Sequence, residues 1–337
     1  MRNWLFGISA WLFLISAAIS LSLFFGEILP AAAQFDAAPG TKVAQADNGP
    51  KLDQPTTQKV TLGVKIRAIG GPCRGIVASF PVPMEWPEQK VEAADKDFSP
   101  GVHLASERVL SGGAKQILIN IPSLASGEEA HAIMTFEVTR SSILPPEETS
   151  LFKQAAKEKL PRDVASYLAP SPFIESTHPK ITALAKEATE DKSDWEKVEA
   201  IYNTTREKIQ YKNGPLKGAL RGLIDGTGDC EELTSLFVAL CRASNIPART
   251  VWVTGHCYPE FYLVDDNGKG YWFPCQAAGS AAFGGIPEHR PILQKGDNFH
   301  DPDRPETKLR YVSQFLKGTP AAKGAGRPQV QWVEDWQ

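Results

Sequence analysis

The hydrophobic period changes once along this chain, and that change limits what it can fold into. Val60, Leu62, Val64, Ile66 and Ala68 alternate with Thr61, Gly63, Lys65 and Arg67, the period of a strand with one buried face. Residues 76–82, 116–121 and 132–138 predict further strands, separated by Gly and Pro clusters. From about residue 181 the period becomes helical. Trp195, Val198, Tyr202, Thr205 and Ile209 follow one face, behind a Ser193/Glu196 pair with capping-box spacing. Leu233, Leu236, Phe237, Leu240 and Cys241 form a second buried stripe, which stops at Asn245-Ile246-Pro247. Strands return at 249–254, 256–264 and 271–276, the last two flanking the turn Asp265-Asp266-Asn267-Gly268.

This order predicts an α+β protein. Residues 58–140 are expected to form an all-β, sandwich-like domain. Residues 141–180, rich in Pro but carrying Phe152, Leu160, Tyr167 and Phe173, form a connection that must pack on something. Residues 181–317 place a helix against an antiparallel sheet. Residues 318–337 are expected to be a largely mobile tail, and residues 34–57, without an apolar period, a flexible linker.

Before that linker, Arg2 is followed by an uncharged apolar run from Trp4 to Phe25 and then by Ala31-Ala32-Ala33. Residues 1–33 are therefore expected to be a signal peptide cut after Ala33, or an uncleaved N-terminal anchor. Either would export the chain to a periplasmic or extracellular location. The net charge of −3 gives no reason to expect a nucleic-acid partner.

Five cysteines, Cys73, Cys230, Cys241, Cys257 and Cys275, leave at least one thiol unpaired or paired between chains. Cys230 falls in the first turn of a predicted helix, with Asp229 as N-cap and Glu232 three residues on. A helix N-terminus favours a thiolate, and its free N–H groups can hold an oxyanion. Gly226 and Gly228 are expected to let a substrate backbone approach; Glu231 and Glu232 oppose the thiolate with their own charge. Cys241, on the apolar stripe, reads as a core residue. A thiolate nucleophile needs a base, and His256 opens a strand 26 residues later. His103, His131 and the His300-Asp301 pair read as structural or exposed. The absence of C-x-x-C or H-x-x-H spacing leaves no expectation of a metal or cofactor.

The segments Gly226-Thr227-Gly228-Asp229-Cys230-Glu231-Glu232-Leu233, Phe237–Ala243 and Ile246-Pro247-Ala248-Arg249 resemble the core of the bacterial transglutaminase-like superfamily. The resemblance covers roughly residues 180–280. It implies a nucleophile at Cys230, a base at His256 and an orienting residue at Gln276, where the family pattern has aspartate. An amide can orient an imidazole but cannot balance its charge. The implied activity is acyl transfer from a peptide or protein amide through a thioester, with hydrolysis favoured over transfer to an amine. The alternative is a peptide-binding module on the same fold without catalysis. If His256 faces Gln276 across the hairpin, Cys257 faces Cys275, and a cross-strand disulfide is expected with both sulfurs turned away from the catalytic groups.

Overall fold

The computed structural model describes residues 48–301, 304–323 and 326–337. The expected signal or anchor at 1–33 and most of the expected linker lie outside these residues.

Six strands come first: β1 (Lys51–Ala68), β2 (Cys73–Val82), β3 (Gln89–Phe98), β4 (His103–Leu110), β5 (Ala114–Leu124) and β6 (Glu129–Leu144). The alternation in β1 is realised: Val60, Val64, Ile66 and Ala68 are fully buried and Leu62 nearly so. Ala132, Met134, Phe136 and Val138 of β6 join them in one core with Ile76, Phe80, Ile117 and Ile119. β1 and β6 approach closely at Gly63, where an added Cβ would lie 2.2 Å from the Ala132 carbonyl oxygen. β3 and β4 escape sequence reading because few of their residues are buried and no apolar alternation marks them.

The second half contains α1 (Arg162–Ala165), α2 (Pro179–Ala188), α3 (Asp194–Lys208), β7 (Gln210–Tyr211), α4 (Ala219–Asp225), β8 (Thr227–Gly228) and α5 (Cys230–Ala243). It continues with β9 (Ala248–Val253), β10 (His256–Val264), β11 (Gly270–Gln276), β12 (Ala282–Phe283), β13 (Ile292–Lys295), β14 (Phe299–Asp301) and β15 (Arg304–Leu309). The chain ends with β16 (Phe315–Pro320) and β17 (Pro328–Trp336). α5 packs against β9, β10, α2, α3 and α4, and every residue from Glu232 to Arg242 is buried. One apolar stripe was expected; the helix is enclosed on nearly all sides. Ser193 does precede α3, but its side chain makes no capping bond. Phe152, from the Pro-rich connection, is buried against Trp195, Tyr271 and Phe273.

The sheets join the two halves. One sheet has the order β17-β1-β6-β3; the other runs β12-β11-β10-β9-β13-β5-β2-β16, with β4 also paired to β5. β13 links the halves by pairing with both β9 and β5. A buried charge cluster reinforces this join. Lys295 donates to Glu88 at 2.5 Å and to Glu260 at 2.7 Å, and Arg249 donates to Glu260 at 3.0 Å.

Three expectations are corrected. The segment from 318 is not a free tail: β16 pairs with β2 and β17 with β1, and Trp332 and Trp336 pack on the sandwich core. Its Gly, Pro and Lys content hid two edge strands whose partners lie more than 230 residues earlier. Residues 51–57 are not linker but the exposed start of β1, laddered to β6, with a 2.7 Å hydroxyl bond between Thr57 and Thr139. Both faces there meet solvent, so no apolar period marks them. The Cys257–Cys275 disulfide does not form; all five cysteines are free thiols. The hairpin turn closes between Asp265 and Lys269, so β10 and β11 pair as Glu260↔Pro274 through Val264↔Gly270. That register, continued, sets Cys257 opposite Ala277 and Cys275 opposite Pro259.

Candidate functional site

The loop before α5 has little freedom. Gly226 ends α4 in the left-handed region, at φ 65°. At Gly228 a Cβ would sit 2.3 Å from the Glu232 Cβ. These glycines therefore serve the loop itself rather than a substrate's approach. Asp229 caps α5, accepting from the Glu231 N–H at 2.9 Å, and Glu232 accepts in return from the Asp229 N–H at 3.1 Å. The capping box read in the sequence is complete.

The two glutamates that were expected to oppose a thiolate are otherwise engaged. Glu232 is buried and accepts from the Lys217 N–H at 2.7 Å and the Gly218 N–H at 3.3 Å. Glu231 pairs with Arg310.

Cys230 occupies the first position of α5, partly buried. Its own N–H has no hydrogen-bond partner among the described residues, whereas the Glu231 amide is taken by Asp229. The Cys230 side chain and two residues from the start of β10, His256 and Cys257, line one cavity. The His256 Nε2 is 3.0 Å from the Gln276 Oε1. With Nε2–H donating to that oxygen, Nδ1 is the nitrogen left for the sulfur. The three residues picked from sequence are thus brought together in one row: Cys230, His256, Gln276.

Gln276 is itself held. Its carbonyl oxygen accepts from the Tyr202 hydroxyl at 3.0 Å and from Arg206 at 3.2 Å. Both donors come from α3, so the helix sets the end of β11 and with it the imidazole.

The electrostatics follow from these contacts. The Cys230 pKa is drawn down to about 4, first by the hydrogen bond from the Cys257 thiol, then, against the opposing effect of burial, by the bond to His256. Burial pulls the His256 pKa down, but hydrogen bonds to Cys230 and Gln276 outweigh it and the net direction is up. Both shifts favour a thiolate–imidazolium pair. Burial pushes the Cys257 thiol well above its ordinary value, and its sulfur lies 3.5 Å from the Cys230 carbonyl oxygen and 3.7 Å from the Thr234 hydroxyl. Cys257 therefore stays a protonated donor facing the Cys230 side, not the far side expected of a disulfide partner. Cys241, fully buried, is likewise raised by burial and stays inert.

Sequence reasoning missed several residues around this row. Tyr211 lines the space on both sides of His256; it is held there because β7 pairs with β8, just before Cys230. Arg206, Arg290 and Arg310 also line that space. No local pattern marks them, since each is one arginine in an ordinary helix or loop. The thiol role of Cys257 had a signal in its adjacency to His256, but a strand's alternation argued for the opposite face. Among the described residues no three His, Cys, Asp or Glu side chains are grouped to hold a metal ion.

Residues 182–277 match the model of the transglutaminase-like superfamily. Among solved structures, the "putative cysteine protease from Cytophaga hutchinsonii" is similar with a TM-score of 0.55 and 17% identity, over 85% of this chain and 92% of that one. That likeness shows a shared fold. A "putative protease" from Parabacteroides distasonis is similar over 66% of this chain and 47% of its own, with 14% identity and a TM-score of 0.26, too slight to bear on the fold. No curated protein matches in sequence. The chain thus carries a transglutaminase-like domain beside a β-rich region.

Proposed function

We propose that this protein is a cysteine-dependent amide hydrolase acting on peptides or proteins through a thioester on Cys230. The observation that carries the proposal is the grouping of Cys230, first residue of α5, with His256 on one cavity, and of His256 with Gln276 at 3.0 Å; the downward shift of the thiol pKa agrees with it.

The thiolate attacks the amide carbonyl carbon, and the oxyanion that forms takes up the unpartnered Cys230 N–H at the positive end of α5. His256, protonated on Nδ1, gives that proton to the departing amine as the C–N bond breaks. A thioester remains. Water then attacks it, His256 takes the water's proton, and the Cys230 thiolate leaves as the acid product is released, restoring the thiolate–imidazolium pair. Gln276 keeps Nε2–H engaged throughout, which leaves Nδ1 to carry the proton. It adds no negative charge, so the imidazolium is less stabilised than beside a carboxylate. Water is chosen over an amine as acceptor because it is abundant outside the cell and nothing in the sequence suggests an amine pocket. Export itself is part of the proposal and rests on residues 1–33; Gln34 as the first residue of the protein recovered from outside the cytoplasm tests it.

The test of the enzyme uses an electrophilic peptide probe for cysteine hydrolases. Labelling should be present in wild type and Cys241→Ala and absent in Cys230→Ala. Hydrolysis of a peptide mixture should fall at least ~10³-fold in His256→Ala. Equal labelling of Cys230→Ala and wild type defeats the proposal. A peptide-binding module without catalysis would keep peptide affinity and show neither effect.

A further inference from the structure

Two cavities meet at His256 and Tyr211, and they differ in charge; Cys230 lines the second of them. The one on the Gln276 side, about 610 Å³, is lined by Arg206, His256 and Arg290 and by no aspartate or glutamate. The other, about 690 Å³, is lined by Asp229 and Glu231 as well as Arg310, with Phe173 and Trp252 supplying apolar faces.

Arg206 is the unusual member. Its guanidinium donates to three carbonyl oxygens: Gln276 at 3.2 Å, Ala277 at 3.0 Å and Gly279 at 2.9 Å. These bonds fix the group in place without neutralising it, and among the described residues no carboxylate forms an ion pair with it. A guanidinium has five N–H donors, so two remain after those three bonds. Arg290 is the second guanidinium. Glu288 offsets its charge, and its Nη1 is tied to the Thr254 carbonyl at 3.1 Å. The cavity thus presents one uncompensated cation, held rigidly, beside a second guanidinium and an imidazole. Arginine's planar fork suits a carboxylate, and a carboxylate is the anion an unmodified peptide carries.

We propose that the Arg206–Arg290 cavity is a carboxylate subsite, binding an anionic carboxylate of the peptide next to the amide that Cys230 attacks. This rests on the thioester reading above and names its substrate class. The carboxylate has two sources in a peptide, an acidic side chain or the chain's own C-terminus.

Alkylation of Cys230 in the full chain separates these sources. One probe pair is N-iodoacetyl-glutamate α-amide and N-iodoacetyl-glutamine α-amide, which differ in the side-chain carboxylate. The other is N-iodoacetyl-glycine and its amide, which differ in the terminal carboxylate. The rate ratio of charged to neutral probe at Cys230, relative to the same ratio on N-acetylcysteine amide, is the readout. Any change in the thiol's own reactivity cancels from it. A ratio of about ten is expected for at least one pair, falling to within about twofold of unity in Arg206→Gln and recovering in Arg206→Lys. Should Arg206→Gln not fold, the wild-type ratio must instead collapse towards unity in about 1 M salt. Ratios near unity for both pairs in wild type, or a preference that survives Arg206→Gln or high salt, overturn the subsite. A preserved preference in a protein that hydrolyses no peptide overturns the enzyme reading alone.

Discussion

The sandwich half and the transglutaminase-like half are built by different means. The sandwich core is largely aliphatic, with Val64, Ile66, Ile117 and Ile119 facing one another across two sheets. Its residues are interchangeable in kind, so its information lies in periodicity. The other half packs around an enclosed helix and an aromatic cluster of Phe152, Trp195, Phe261 and Phe273. Its polar groups are individually placed: Asp229 and Glu232 fix the helix start, Tyr202 and Arg206 fix Gln276, and Gln276 fixes His256. The difference teaches that one half works as scaffold and the other as a set of aimed groups. Substitutions in the first should change stability alone, and substitutions in the second should change the thiol.

The largest test falls on the join. Lys295→Met leaves Glu88 buried without a cation and Glu260 with Arg249 alone, and should cost ~3–5 kcal/mol by denaturant unfolding, in one cooperative transition. Two separated transitions would show that the halves fold independently and would break the comparison. Next comes the closing strand. Trp332→Ala removes a side chain packed on the sandwich core and should cost about 2 kcal/mol while leaving the Cys230 titration unmoved. A shifted thiol would mean that the scaffold tunes the site. Smallest in energy, but most local, is Cys257→Ala. It removes the leading cause of the low thiol pKa, so the Cys230 titration should move up by about one to two units with little change in stability. The reactive ion pair should exist from about pH 4, where the thiolate forms, up through the raised pKa of His256, where the imidazolium is lost. Peptide hydrolysis should follow that window.

How much could be read beforehand divides along the same line. Alternation from Val60 to Ala68 and from Ala132 to Val138 located buried strands because one solvent face and one core face leave a period of two. β3 and β17 were silent, since edge strands with polar faces leave no such period. In the other half, Cys230 at a capped helix start was legible from Asp229 and Glu232 and His256 from the strand it opens, whereas Gln276 came only through the family resemblance. Hairpin register was not. A turn bracketed by Asp265 and Lys269, rather than by Val264 and Gly268, moved every pair by two positions and turned an expected disulfide into a thiol donor beside the nucleophile. The arginines around the site were silent because what distinguishes Arg206 is the absence of a carboxylate partner, a property of the folded chain.

The most direct measurement is the pH dependence of Cys230 alkylation by iodoacetamide, in wild type and His256→Ala. The account predicts a wild-type midpoint at about 4 and a higher one in the variant, because the imidazolium is then gone. A wild-type midpoint near ~8.5, the value of an unperturbed thiol, unchanged in His256→Ala, would contradict it.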